Sequence, residues 1–177
     1  MSKSKTPTSF FLYPFGFGQL PDEVFNDMAD TSYWGYRINT DYPDFFYAEL
    51  LQGRLRQGWG YEEGQDLRVK TVDNGAFRNL RMLNVKKDDI LLIPRIPEWN
   101  CLTIAKATED WSTGYRFEKP LGIDDFGHIF PAEYICRVPI SDGNVQKLYG
   151  TFHYHGRFWL INHWADEIQA IIKCYSI

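Results

Sequence analysis

Two short apolar runs with a proline between them constrain this chain's fold more than any other feature. Ile90-Leu91-Leu92-Ile93 ends at Pro94, and Cys101-Leu102-Thr103-Ile104-Ala105-Lys106-Ala107 follows the loop Ile96-Pro97-Glu98-Trp99-Asn100. Runs this short and this rich in branched side chains, bounded by turn residues, predict two buried strands joined as an antiparallel hairpin. The tight turn Val85-Lys86-Lys87-Asp88-Asp89 delivers the chain into the first of them. Further strands are predicted at 33–38, 129–138 and 152–154.

Helical periodicity appears elsewhere. Val24, Phe25 and Met28 behind Pro21 predict a short helix over 22–29. Asp44 is a plausible N-cap for a helix running to about Arg56, with Phe46, Leu50 and Leu51 as its apolar stripe and Gly58 as its stop. A weak helical stretch covers 76–83. Residues 159–173 read as an amphipathic helix with Leu160, Trp164, Ile168, Ile171 and Ile172 facing inward. The stretch 111–125 reads as a long polar connection. Together these elements predict an α+β fold, a small, partly closed β-barrel flanked by about three helices. The length of 177 residues suits one such domain, assigned to 32–177, with 1–31 as an N-terminal extension.

Composition narrows the class. With 44% hydrophobic and 17% aromatic residues the body of the chain has enough apolar material to exclude disorder. No window approaches the roughly 18 apolar residues of a bilayer span, and the leading MSKSKTPTS has no apolar signal core, so a cytoplasmic protein without a membrane partner is expected. Cys101, Cys136 and Cys174 are widely spaced in apolar contexts, which suits buried thiols better than disulfides or a zinc site. No serine-hydrolase elbow, phosphate-binding loop or dinucleotide fingerprint occurs, and Ile104-Ala105-Lys106 lacks the acid that a restriction-type nuclease strand needs. No catalytic residue, cofactor or metal is therefore expected. His153, His155 and His163 come nearest to a ligand set, but no carboxylate backs them, and solvent-facing histidines are the simpler alternative.

Charge is distributed unevenly. The net charge is −4, yet residues 51–95 hold nine Lys/Arg against six Asp/Glu, and the remainder holds ten against seventeen. Such a basic island is compatible with a focused phosphate-facing patch, or with scattered solvated charges. The aromatics Trp34, Tyr36, Trp59, Tyr61, Trp99, Trp111 and Tyr115 fall near predicted strand ends and loops. There they would either stack on a flat ligand or fill the core and ends of a small barrel.

Four segments, in order, carry a resemblance. They are Gly53-Arg54-Leu55-Arg56-Gln57-Gly58-Trp59-Gly60, then Lys86-Lys87-Asp88-Asp89-Ile90-Leu91-Leu92-Ile93-Pro94, then Leu102-Thr103-Ile104-Ala105-Lys106-Ala107-Thr108, and Phe126-Gly127-His128-Ile129-Phe130-Pro131-Ala132-Glu133-Tyr134-Ile135. This order resembles the PUA-like superfamily, and within it the EVE and YTH-like modified-base readers, including those fused to McrB-type and Mrr-type modification-dependent restriction proteins. Lys87-Asp88-Asp89 stands where those domains usually have Gly-Asp, and Ala132-Glu133-Tyr134 where they have Val-x-Trp.

The resemblance implies a non-enzymatic domain that binds nucleic acid, DNA sooner than RNA, and holds a flipped, modified base in an aromatic cage. It also implies an effector nuclease or NTPase in a restriction or phage-defence system. On this basis Trp34, Trp59, Tyr36, Tyr61 and Trp99 are the cage candidates. Asp66 and Asn74 are candidates for the base edge, and Arg54, Arg56, Arg68, Arg78, Arg81, Lys86 and Lys87 for phosphates. Two alternatives stay open. One is a nucleotide-binding or enzymatic barrel using Asp124 with His128; the other is a protein-interaction module anchored by Trp99 and Trp111.

Overall fold

The structure is a computed structural model that describes residues 31–69 and 76–176. The helix expected over 22–29 and the base-edge candidate Asn74 lie outside the described residues. In chain order the elements are β1 (Tyr33–Tyr36), α1 (Pro43–Leu51), β2 (Arg54–Gln57), β3 (Ile90–Pro94), β4 (Cys101–Ala107), α2 (Trp111–Gly114), β5 (Arg116–Phe117), β6 (His128–Pro139), α3 (Gly143–Leu148), β7 (Phe158–Leu160) and α4 (Ala165–Tyr175). Single 3-10 turns or longer 3-10 stretches occupy Glu63–Gln65, Ala76–Asn84, Tyr149–His153 and Asn162–Trp164.

The hairpin forms as its sequence requires, β3 antiparallel to β4 with Ile90 opposite Lys106 and Pro94 opposite Leu102. Around it the strands run β2-β6-β4-β3-β1-β7, with β5 also on β6. β1 lies parallel to β3, and β7 antiparallel to β1. The long β6 serves three neighbours. Its first residues pair with β2 and β5, and its remainder pairs with β4, with a register shift at Ile104/Ala105 that bends the strand within that second stretch.

Every residue of β3 is buried because both faces of the sheet are covered. Leu91 and Ile93 join Tyr36, Leu55, Ala105, Trp111, Phe130 and Phe158 on the concave side. Ile90 and Leu92 join Leu102, Ile104, Val138 and Trp159 on the other, under Val145 and Leu148 of α3 and Ile168 and Ile171 of α4. The sheet curls far enough that β1 and β2, which are not neighbours in it, are bonded directly. Tyr36 Oη donates to the Arg56 carbonyl at 3.0 Å, and Gln57 Nε2 donates to the Arg37 carbonyl at 3.0 Å. A mixed α+β fold on a partly closed barrel is the result.

Several expected elements differ. α1 ends at Leu51, and Gly53 turns the chain with φ of 79° into β2, so 54–57 is strand and not helix. Asp44 lies inside the first turn behind Pro43 and does not cap it. The 111–125 connection contains α2 and β5, and Trp111 is fully buried there, stacked on Phe130. Residues Tyr149–His153 are a 3-10 turn, and the last strand is Phe158–Leu160, taken from what periodicity assigned to the final helix. Leu160 is consequently exposed, because on β7 it points away from the face that packs. Cys101 and Cys136 are buried, but Cys174 is exposed on α4.

One buried ion-pair cluster joins the helix to the barrel. Glu49 of α1 accepts from Arg54 and from Arg56, with N–O distances of 2.5 and 2.6 Å, and the Arg56 side chain is 5% exposed. Hydrogen bonding from Arg54, then from Arg56, holds the Glu49 carboxyl below its ordinary value of 4.5 despite its burial. The folded state therefore binds a proton less readily than the unfolded chain. Its contribution is complete above about pH 4.5 and is lost as pH falls through the lowered value. Glu49→Gln, which leaves Arg56 buried without its counter-charge, is expected to cost about 3 kcal/mol in urea unfolding and to flatten the acid limb of the stability profile.

Candidate functional site

At the curled edge of the sheet, where β1, β2 and the approach to β6 converge, a cleft of about 330 Å³ opens. Arg37, Asn39, Trp59, Tyr61, Asp125, Phe126 and Arg157 supply most of its wall. Its floor is the turn Gly58-Trp59-Gly60 that leaves β2. Trp59 has φ of 69° and so does Phe126 opposite it, a left-handed conformation that costs a side-chain-bearing residue about 1–2 kcal/mol. Such strain persists only where the surroundings hold it.

The holding is visible bond by bond. Gln57 Oε1 accepts from Gly58 N at 2.9 Å, and Asn79 Nδ2 donates to the Gly58 carbonyl at 2.9 Å. Asp125 Oδ1 accepts from Gly60 N at 2.9 Å and from Phe126 N at 2.6 Å. Gly60 and Gly127 meet backbone to backbone, with Gly127 N donating to the Gly60 carbonyl. A Cβ on Gly60 would lie 2.5 Å from Gly127 N, which explains why that turn ends in glycine.

His128 completes the support. It is fully buried, with Nε2 2.8 Å from the Trp59 carbonyl and Nδ1 2.8 Å from Tyr115 Oη. A carbonyl only accepts, so Nε2 carries the proton and Nδ1 accepts from the tyrosine. Tyr115 Oη in turn accepts from Leu67 N. Burial pushes the His128 pKa down from 6.5, which favours this neutral ring. Asp124 is exposed while His128 has both nitrogens engaged within the protein, so these two do not form the acid/base pair that an enzymatic barrel would need.

Arg157 roofs the cleft. Its guanidinium lies 4.7 Å from the centroid of the Trp59 ring, and burial, with Arg78 adding like charge, lowers its pKa. Its Nη1 is buried without a hydrogen-bond acceptor among the described residues. On its far side a second cleft of about 300 Å³ is lined by Arg78, Arg81, His155 and Arg157.

The structure sorts the residues singled out by sequence. Trp59 and Tyr61 line the cleft, their rings 6.2 Å apart and edge-on. Three cage candidates do not line it. Trp34 stacks on Phe158 at 4.4 Å and donates to the buried carboxylate of Asp89, Tyr36 is a fully buried core residue, and Trp99 is exposed on the β3–β4 loop. Asp66 is held by Arg68 in a local ion pair and does not line the cleft. Arg54 and Arg56 are bound to Glu49, and Arg56 also donates to the carbonyls of Glu118 and Phe126, so the buried Arg56 is structural and does not meet a phosphate. Lys86 pairs with Asp110, whose carboxylate also accepts from Lys87 N. Arg78 and Arg81 alone of the phosphate candidates face an adjoining cleft with Arg157.

Arg37, Asp125, Phe126 and Arg157 were not found from sequence. Arg157 precedes a strand that helical periodicity hid, whereas Phe126-Gly127, a second aromatic beside a glycine, was an available signal. His153, His155 and His163 are exposed around a separate shallow apolar groove with Trp159 and Trp164, and among the described residues no group of three or more His, Cys, Asp and Glu is placed to hold a metal. Among the same residues no helix is long and apolar enough to cross a membrane. The chain matches no protein-family model, no curated protein and no solved structure.

Replacing His128 by leucine strands the Trp59 carbonyl and the Tyr115 hydroxyl, and is expected to cost about 1–3 kcal/mol per stranded group, together with a change in Trp59 fluorescence. The sign of the pH effect follows from the lowered pKa. His128 supports the fold fully above pH 6.5 and progressively less as pH falls below it, so this part of the pH dependence should vanish in His128→Leu when unfolding is followed from about pH 5 to 8.

Proposed function

We propose that this domain is a nucleic-acid reader that holds one base, turned out of its strand, against Trp59 in the cleft and responds to a modification on that base. The observation that carries this is the Trp59 ring, held in a strained turn by bonds to its backbone and covered on one side by the half-buried guanidinium of Arg157. A preorganised indole beside Tyr61 and Phe126 offers a flat ring a stacking surface without further ordering. The cleft's volume falls at the small end of the roughly 300–1,000 Å³ range of small-molecule sites, a size suited to one planar group. Asn39 and Asp125 offer polar groups for a base edge, and the buried Arg157 Nη1 awaits an acceptor.

The partly closed barrel and the order of the four resembling segments support a PUA-like domain of the EVE or YTH-like kind. In that setting the ligand is a modified DNA base, and an effector nuclease or NTPase acts from elsewhere. Extruding a base costs a few kcal/mol, which stacking on Trp59 and bonds to the base edge must offset.

The test is a binding panel of plain, 5-methyl, hydroxymethyl and N6-methyl duplexes and single strands, DNA and RNA, at two salt concentrations. One modified ligand should bind more tightly than its plain counterpart, and Trp59→Ala should abolish that preference while weakening binding about 5- to 150-fold. Arg81→Ala should weaken all ligands alike and lower the salt slope by about one. An unchanged preference in Trp59→Ala would overturn the proposal.

A further inference from the structure

The arginines of this protein divide by partner, and the division draws a line across the surface. Arg54, Arg56, Arg68 and Arg137 are each held by a carboxylate. Among the described residues Arg37, Arg81, Arg95, Arg116 and Arg157 have no such ion pair, and all but Arg116 line three clefts that share walls. Arg81 and Arg157 line the first, Arg157 and Arg37 the central one with Trp59, and Arg37 and Arg95 a third of about 200 Å³ with Asn39, Thr40 and Pro94. Beyond Arg95 stands Trp99, 66% exposed, with the Arg95 guanidinium 3.8 Å from its ring centroid. An exposed indole on a loop, covered on one face by a cation that no carboxylate holds, is a stacking platform with one face open.

We propose that a single nucleic-acid strand crosses the domain along this line, its backbone passing from Arg81 and Arg157 over the central cleft to Arg37 and Arg95, and a neighbouring base stacking on Trp99. This rests on the base-in-cleft reading and extends it. The ligand is then a strand of several nucleotides and not a free mononucleotide, and affinity and base preference reside in different residues. The alternation of cations with aromatic surfaces is what an unpaired strand requires, since each base offers a ring face and each linkage a charge.

The probes are nine-nucleotide single strands, plain or centrally modified as in the panel above, and the corresponding mononucleotides, followed by fluorescence anisotropy and competition. Trp99 is exposed and Arg95 is on a surface loop, so Trp99→Ala and Arg95→Gln should fold normally, which thermal unfolding checks. Each should lower affinity for the nonamers by about 10-fold, the value of one base–aromatic stack, while leaving mononucleotide affinity and the modified-to-plain ratio unchanged. Trp59→Ala should do the converse to the ratio. Wild-type affinity for the nonamers in both outer variants, or mononucleotides binding as tightly as nonamers, would overturn the strand path, and a ratio still lost in Trp59→Ala would then leave the base cleft standing. Weakened nonamer binding in the outer variants with an unchanged ratio in Trp59→Ala supports the path and overturns the cleft. Absence of nonamer binding by the wild-type protein overturns both.

Discussion

A guanidinium removed from water must be met on all sides, and at Arg56 that requirement organises the barrel. Its donors reach Glu49 on α1 and the carbonyls of Glu118 and Phe126 on the approach to β6, while its own carbonyl accepts from Tyr36 on β1. Three separate parts of the chain are thereby brought to one residue of β2. An unpaired charge in that position would be costly enough that alternatives in which α1 or the 118–126 segment stands apart are strongly disfavoured. The curl of the sheet, and with it the existence of the cleft, depends on this convergence.

The cleft inherits its rigidity from the same neighbourhood. Phe126 carries both a carbonyl bound by Arg56 and a left-handed backbone facing Trp59. Gly60 and Gly127 allow two backbones to approach more closely than any side chain would permit, and His128, Asp125 and Asn79 then bind the strained turn. Preorganisation of this kind is costly in the free protein and useful chiefly where a ligand must be stacked in one orientation, which is why the strain supports the proposed binding role.

Much of the fold was legible in the chain. The β3–β4 hairpin, β1 and β6 stand close to where apolar runs placed them, because burial on both faces leaves a continuous apolar signature. Boundaries failed where two periodicities competed. Leu55 and Gln57 belong to a strand that follows a helix after only a two-residue turn, and Phe158-Trp159-Leu160 is a strand whose apolar residues also fit the stripe of the helix behind it. Of the candidate site, Trp59 and Tyr61 were legible from their place in a predicted loop beside a strand end and from the first of the four resembling segments. Trp34 and Tyr36 were equally aromatic and equally near a strand end, but one is spent on Phe158 and Asp89 and the other on the core.

The basic island shows the same division. Local sequence determined that cations would be concentrated over 51–95, that strands would be short and that the chain would break at Gly58 and Pro94. Only the tertiary structure decided that Arg54, Arg56 and Arg68 would be neutralised by Glu49 and Asp66, and that Arg37, Arg95 and Arg157 would join Arg81 in lining connected clefts. The reason is physical. A charge is a property of one residue and can be counted along the chain, whereas its burial and its partner are properties of neighbours that can lie nearly a hundred positions away, as Arg157 does from Trp59.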